Sequence, residues 1–176
     1  SNFSLDVSEL LDACDSHDSK AHALTVNAYM GKDSLEPFLK RVDGGKGIFV
    51  LAKTSNPSSG DLQDRIIEGQ NDSGRSVYEH VATWVDDWSR KTIGSLGYGS
   101  VGAVVGATYP RQLAQLRQAM PYAPLLIPGY GAQGATAKDV AAGFDKRGLG
   151  AVVNASRSIA YAYRRFDHLS FEKASR

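Results

Sequence analysis

Cysteine is nearly absent: Cys14 is the only one in the chain. A single thiol excludes an intramolecular disulfide framework and fits a reducing, cytosolic setting. Long apolar runs are missing too. No stretch approaches the ~18 residues of a membrane span. The start, SNFSLDVSELLDACDSHDSK, has neither a basic n-region nor an apolar h-region, so it does not read as a signal peptide. No sign of charge dominates: 20 Lys and Arg against 19 Asp and Glu leave a net +1. That balance gives no electrostatic footprint for nucleic acid. The four histidines, His17, His22, His80 and His168, show no ligand spacing, so no metal site is expected.

What is present is ordinary for one globular domain: 176 residues, 42% hydrophobic and 22% charged. Five short segments are rich in Val, Ile and Leu and lack clean polar alternation. They are 22–28 (HALTVNA), 47–53 (GIFVLAK), 101–107 (VGAVVGA), 124–128 (PLLIP) and 149–154 (LGAVVN). Strands buried on both faces read this way. Helical patterns lie between them. Residues 33–42 open with Asp33 as N-cap and Glu36 at capping-box spacing. Residues 73–93 place Val77, Val81, Trp84, Val85 and Trp88 on one face, a core or interface face. Residues 110–120 start with Pro110 and put Leu113, Leu116 and Met120 on one side. Residues 136–148 run into Gly148, a C-terminal stop. Residues 156–166 read as a last helix. Strand then helix, five times over, predicts an α/β fold with a parallel sheet and right-handed crossovers. The pattern leaves two finishes open. One is an open doubly wound sheet. The other is part of a barrel of eight units, which usually takes about 250 residues.

In either case chemistry gathers beyond the carboxyl ends of the strands. Asn27-Ala28-Tyr29, the run from Lys53 to Asp61, Gly106-Ala107-Thr108, the run PGYGAQG (128–134) and Asn154 to Ser158 fall on that rim. Thr54, Ser55 and Asn56 offer polar groups before Pro57. Gly129, Gly131 and Gly134 allow close approach of a ligand to the backbone. Successive N–H groups form anion nests, and a helix starting near Thr136 adds partial positive charge. Arg157 begins the next helix, where its guanidinium can fork onto phosphate oxygens. The expectation is a phosphate held by Gln133 and Arg157 in room made by the glycines. Tyr29 and Tyr130 stand on the same rim.

The stretches LTVNAYMGKDSLEPF, GIFVLAKTSNPSSGDLQ, VGAVVGATYPRQLAQLR, LLIPGYGAQG and AVVNASRSI occur in this order. Together they resemble the orotidine 5′-monophosphate decarboxylases, in their bacterial branch, over roughly residues 22 to 162. The resemblance implies a (β/α)8 TIM-type barrel, a homodimer in the cytoplasm, and conversion of orotidine 5′-monophosphate to UMP without metal or cofactor. Charge balance and the lack of a long apolar run lead to the expectation of no nucleic-acid or membrane partner. The resemblance places the 5′-phosphate on Gln133, Arg157 and backbone around Gly131, and the pyrimidine on Ser55 and Pro128. Asn27, Thr54 and Tyr130 are further rim contacts. The family's catalytic motif, Asp-x-Lys-x-x-Asp after the third strand, has no match in its expected place. Asp18-Ser-Lys20 starts such a motif, but Ala23 stands where the second Asp belongs, and it directly precedes the first strand. Within this chain, Lys20 and Lys53 are the lysines to test as proton donors.

The first three strand–helix units of the barrel also have no counterpart. Residues 1 to 21 are too few to supply them. The chain therefore reads as one domain, the C-terminal five-eighths of the barrel, completed by another polypeptide segment and inactive by itself. Two rivals stand beside this reading. One is another phosphosugar enzyme on the same barrel, and the other is a non-catalytic nucleotide- or phosphate-binding remnant.

Overall fold

Five runs of Val, Ile, Leu and Ala pair into one parallel sheet in the computed structural model. It describes residues 22–68, 74–131, 134–155, 159, 161–165, 170 and 173. The strands are β1 (Ala23–Asn27), β2 (Gly47–Lys53), β5 (Val101–Val105), β6 (Leu125–Ile127) and β7 (Ala151–Val153). Their order in space repeats their order in the chain, β1-β2-β5-β6-β7. The register runs Thr25 to Phe49, Val50 to Ala103, Ala103 to Leu125 and Leu126 to Val152. Each of the four crossovers carries a helix, which is what keeps neighbouring strands parallel.

Four of the five expected helices form among the described residues, most of them shorter than their sequence patterns. Helix α1 (Glu36–Val42) follows a 3-10 turn, Asp33–Leu35, and the predicted Asp33–Glu36 capping box is not made. The 3-10 turn places Asp33 inside the element rather than at its cap. A one-turn helix, α2 (Gly60–Gln63), follows β2. Helix α3 (Val77–Arg90) is the longest, and it starts on a capping box. The Ser76 hydroxyl accepts from the Glu79 N–H, while the Glu79 carboxylate accepts from the Ser76 N–H at 2.8 Å. Its buried side is Tyr78, Val81, Ala82 and Val85, with Trp84 and Trp88 half-buried at the border. Helix α4 (Pro110–Ala119) has Pro at its first turn and buries Leu113 and Leu116 completely, with Met120 just beyond. Each such side chain contributes roughly 1.5–3 kcal/mol of transfer free energy. Helix α5 (Ala137–Ala141) is only a short piece of the predicted 136–148. Of the predicted last helix, the described residues are Ile159, Tyr161 and a 3-10 turn, Ala162–Arg165, and the remaining positions lie outside them.

The core lies between the sheet and its helices. Val50, Ala103, Val105, Leu125 and Ile127 meet Val85, Leu113 and Leu116 there. Strand β5, at the sheet's centre, is buried at all five positions, as its unbroken apolar run predicts. The outermost strands depart from that expectation. Only Val26 is buried in β1, and Val152 of β7 is 57% exposed. Each has a neighbour on one side only among the described residues. One element has no counterpart in the sequence reading. A two-residue antiparallel ribbon joins β3 (Ile66–Ile67) to β4 (Arg75–Ser76) between β2 and α3. No helix among the described residues is long and apolar enough to cross a membrane.

Candidate functional site

Because all five main strands are parallel, their carboxyl ends share one rim. The first segment there is a tight turn after β1. The Asn27 Oδ1 accepts from the Tyr29 N–H at 3.0 Å, and Gly31, at φ +96°, donates to the Ala28 carbonyl at 2.9 Å. Asn27 thus shapes its own turn, and Tyr29 projects outward with 78% of its surface exposed.

The second segment, Thr54 to Asn56, is clamped from several directions. Gln63 grips Thr54 twice: its Oε1 accepts from the Thr54 N–H at 3.0 Å, and its Nε2 donates to the Thr54 hydroxyl at 2.8 Å. That hydroxyl donates in turn to Asn56 Oδ1 at 2.7 Å. From beyond β5, the Thr108 hydroxyl donates to the Ser55 carbonyl at 3.1 Å, and the Tyr109 hydroxyl to the Asn56 carbonyl at 3.2 Å. Gly106 lets the two loops touch. A Cβ on it would lie 2.7 Å from the Ser55 Cα. The half-buried Ser55 hydroxyl receives no hydrogen bond from any described residue. The result is a serine whose backbone is fixed and whose hydroxyl is available to a ligand.

Lys53, the last residue of β2, sits under this loop. A register irregularity between Leu51 and Lys53 offsets it from the strand's regular pairing. Its side chain is completely buried. The Nζ donates to Asp64 Oδ1 at 2.7 Å and lies 4.5 Å from the centre of the Tyr109 ring and 5.7 Å from that of Tyr78. An ammonium enclosed in this way is not presented on the rim. Lys20 and Asp18 lie outside the described residues.

The ladder continues across the sheet. The Gly106 N–H donates to the Lys53 carbonyl at 2.7 Å, and the Ala107 N–H to the Pro128 carbonyl at 2.8 Å. The loop after β6 starts there. Gly129, Gly131 and Gly134 all have positive φ, at +101°, +72° and +92°. Their conformations let the chain fold back, so that Tyr130 bridges to Ala135 and the Gly131 N–H donates to the Ala135 carbonyl at 2.9 Å. Half-buried Pro128 and 37%-exposed Tyr130 flank this turn.

The helix start expected to attract an anion carries one of its own. The Asp139 carboxylate accepts from the Thr136 N–H at 2.8 Å and from the Thr136 hydroxyl at 2.7 Å. Those bonds, the hydroxyl's first, hold the Asp139 carboxyl below its ordinary pKa. Gln133 and Arg157 lie outside the described residues. No cluster of three His, Cys, Asp or Glu arranged to hold a metal ion occurs among the described residues. Sequence reasoning missed Gln63, Asp64 and Tyr109, which build the clamp. Their partners are 9, 11 and 53 residues away, respectively.

Residues 11–165 match the sequence model of the family described as orotidine 5′-phosphate decarboxylase / HUMPS. The chain is 53% identical over 144 residues to the orotidine 5′-phosphate decarboxylase of Rhodopirellula baltica, a match covering 81% of this chain and 46% of that protein. It is 43% identical over 154 residues to the Caldicellulosiruptor bescii protein of the same name, covering 87% of this chain and 49% of that one. The chain therefore spans about half the length of the curated relatives it matches. Among solved structures, the Leishmania donovani OMP decarboxylase superposes with a TM-score of 0.68 at 36% identity, over 89% of this chain and 56% of that one. The five-stranded parallel sheet and its helices are thus part of a TIM-type (β/α)8 barrel, and the doubly wound alternative falls away.

Proposed function

This chain belongs to the orotidine 5′-phosphate decarboxylase / HUMPS family, and on that premise we propose that it forms part of an enzyme that decarboxylates orotidine 5′-monophosphate to UMP. The observation that carries the reading is the hydrogen-bonded ladder from Lys53 through Gly106 and Ala107 to Pro128. It joins the clamped Ser55 loop to the glycine turn on one rim. In this reading Ser55 hydrogen-bonds the pyrimidine and Pro128 lines the apolar side of the base. Asn27, Thr54 and Tyr130 border the substrate. Gln133 and Arg157 hold the 5′-phosphate. Gly131 supplies room rather than its own N–H, which already bonds to Ala135. Because Asp139 occupies the start of α5, the positive charge for the phosphate falls to Arg157.

The phosphate lies far from the reacting carbon. Binding energy won there is useful when it closes the site and presses the substrate carboxylate toward the transition state. The family's Asp-x-Lys-x-x-Asp motif is not in this sequence, so the reading takes its proton donor from outside these 176 residues. It needs no cofactor, and it takes the enzyme as a cytoplasmic homodimer and the chain as a single domain. The test is Arg157→Ala in the intact protein. Losing one charged hydrogen bond of ~1.5–3 kcal/mol lowers kcat/KM for orotidine 5′-monophosphate by roughly 10- to 100-fold. An unchanged value refutes the phosphate assignment. UMP binding by the intact wild type without turnover replaces the decarboxylase with the nucleotide-binding reading.

A further inference from the structure

The lysine beneath the rim is the buried charge that the proposed chemistry leaves unused. Burying an ammonium costs several kcal/mol unless its surroundings compensate. Lys53 has one carboxylate and two tyrosine rings to do so. A strand this apolar would pack a Leu or Met in that position at less expense. What the charge contributes is connection. Asp64 directly follows Gln63, which grips Thr54 twice. Tyr109 follows Thr108, and together they hold the carbonyls of Asn56 and Ser55. The Tyr109 hydroxyl also accepts from the buried Ser59 hydroxyl at 3.3 Å. One ammonium therefore ties the two walls of the loop that carries Ser55.

We propose that Lys53 is a positioning residue: through Asp64 and Tyr109 it sets the Thr54–Asn56 loop, and with it the Ser55 hydroxyl. It touches no substrate and is not the proton donor. The inference rests on the reading of Ser55 as the pyrimidine contact.

The test uses the intact protein and four variants: Lys53→Met, Asp64→Asn, Ser55→Ala and the double variant Lys53→Met with Ser55→Ala. Lys53→Met lowers kcat for orotidine 5′-monophosphate by roughly 10- to 100-fold, the scale of a misplaced contact. Inhibition by ribose 5-phosphate, which lacks the base, stays within about twofold, because the phosphate loops are separate. In the Ser55→Ala background the Lys53→Met loss disappears, since the group it positions is gone. Amide exchange quickens at Thr54, Ser55 and Asn56 and not at Ala103 to Val105. Asp64 is 44% exposed, so Asp64→Asn keeps the fold and shows the same pattern more weakly. Full kcat in Asp64→Asn overturns the proposal, as do additive losses in the double variant or exchange that rises equally along β5. A Ser55→Ala protein that turns over like wild type removes the pyrimidine assignment instead. In that case exchange at the loop amides still decides whether Lys53 holds the loop.

Discussion

Replacing Gly106 with alanine adds one methyl group where two loops meet. The new Cβ would lie 2.7 Å from the Ser55 Cα and 2.8 Å from both its Cβ and its backbone nitrogen. Ordinary contact begins near ~3.5 Å, so one loop must retreat by nearly an ångström. Neither loop yields easily. Ser55 is held by Thr108, and Gly106 by its bond to the Lys53 carbonyl. Overpacking of this kind costs ~1–3 kcal/mol. Displacing a substrate contact by about 1 Å costs as much as ~100-fold in rate. Urea unfolding measures the first quantity, and kcat/KM for orotidine 5′-monophosphate in the intact protein measures the second. Gly45→Ala, in the turn before β2, is the control. There a Cβ meets nothing within 4 Å among the described residues, and only the positive φ of +83° opposes it. That substitution costs ~1–2 kcal/mol of backbone strain without moving Ser55. A Gly106→Ala protein with wild-type stability and turnover refutes the close approach as described.

Arg117 donates to the carbonyls of Met120, of Ala123 at 2.9 Å and of Gly150 at 3.1 Å, fastening the end of α4 to the starts of β6 and β7. Burial pushes its pKa down. Arg117→Met leaves these carbonyls without the guanidinium and lowers unfolding free energy by on the order of 3 kcal/mol, read by urea titration. An effect below the error of that titration removes the fastening role. Asp145 accepts from the N–H groups of Leu149 and Arg147, the Arg147 side chain and the Tyr98 hydroxyl. The Leu149 bond first, with burial opposing, holds its carboxyl well below the usual range. Its contribution is therefore full above the unfolded carboxylate value of about 3.9 and fades as pH falls below it. Asp145→Asn loses stability at neutral pH and converges on wild type in strong acid. A difference that persists there contradicts the assignment.

Strand β5 was legible because burial on two faces leaves an unbroken apolar run, and β2 ends where its own apolar run ends. Helix lengths were less so. The apolar spacing of 136–148 continues past Ala141, but the chain turns at Gly143, where a Cβ would strike the Ile127 side chain. The β3–β4 ribbon leaves no periodic trace, since two residues cannot alternate visibly. Ser55 and Pro128 stood out by following strands. The clamp did not, because Lys53 to Asp64 and Thr108 to Ser55 are pairings across folded loops. A lysine at a strand end reads as a rim residue. The irregularity at Leu51 and Lys53, invisible in composition, accompanies its burial. The turn after Gly129 was visible as glycine. That the start of α5 is already satisfied by Asp139 was not, because an aspartate three residues into a helix reads equally as exposed surface.

The sheet's spatial order is also its order of synthesis. Each strand–helix unit can dock on the edge left by the one before, so no long loop has to close before pairing begins. Growth of this kind is a nearest-neighbour process, closer to stacking than to collapse. A lesion at either end is then expected to melt one seam and spare the rest. One in β5, which among the described residues alone joins the β1–β2 pair to the β6–β7 pair, parts these five strands into two.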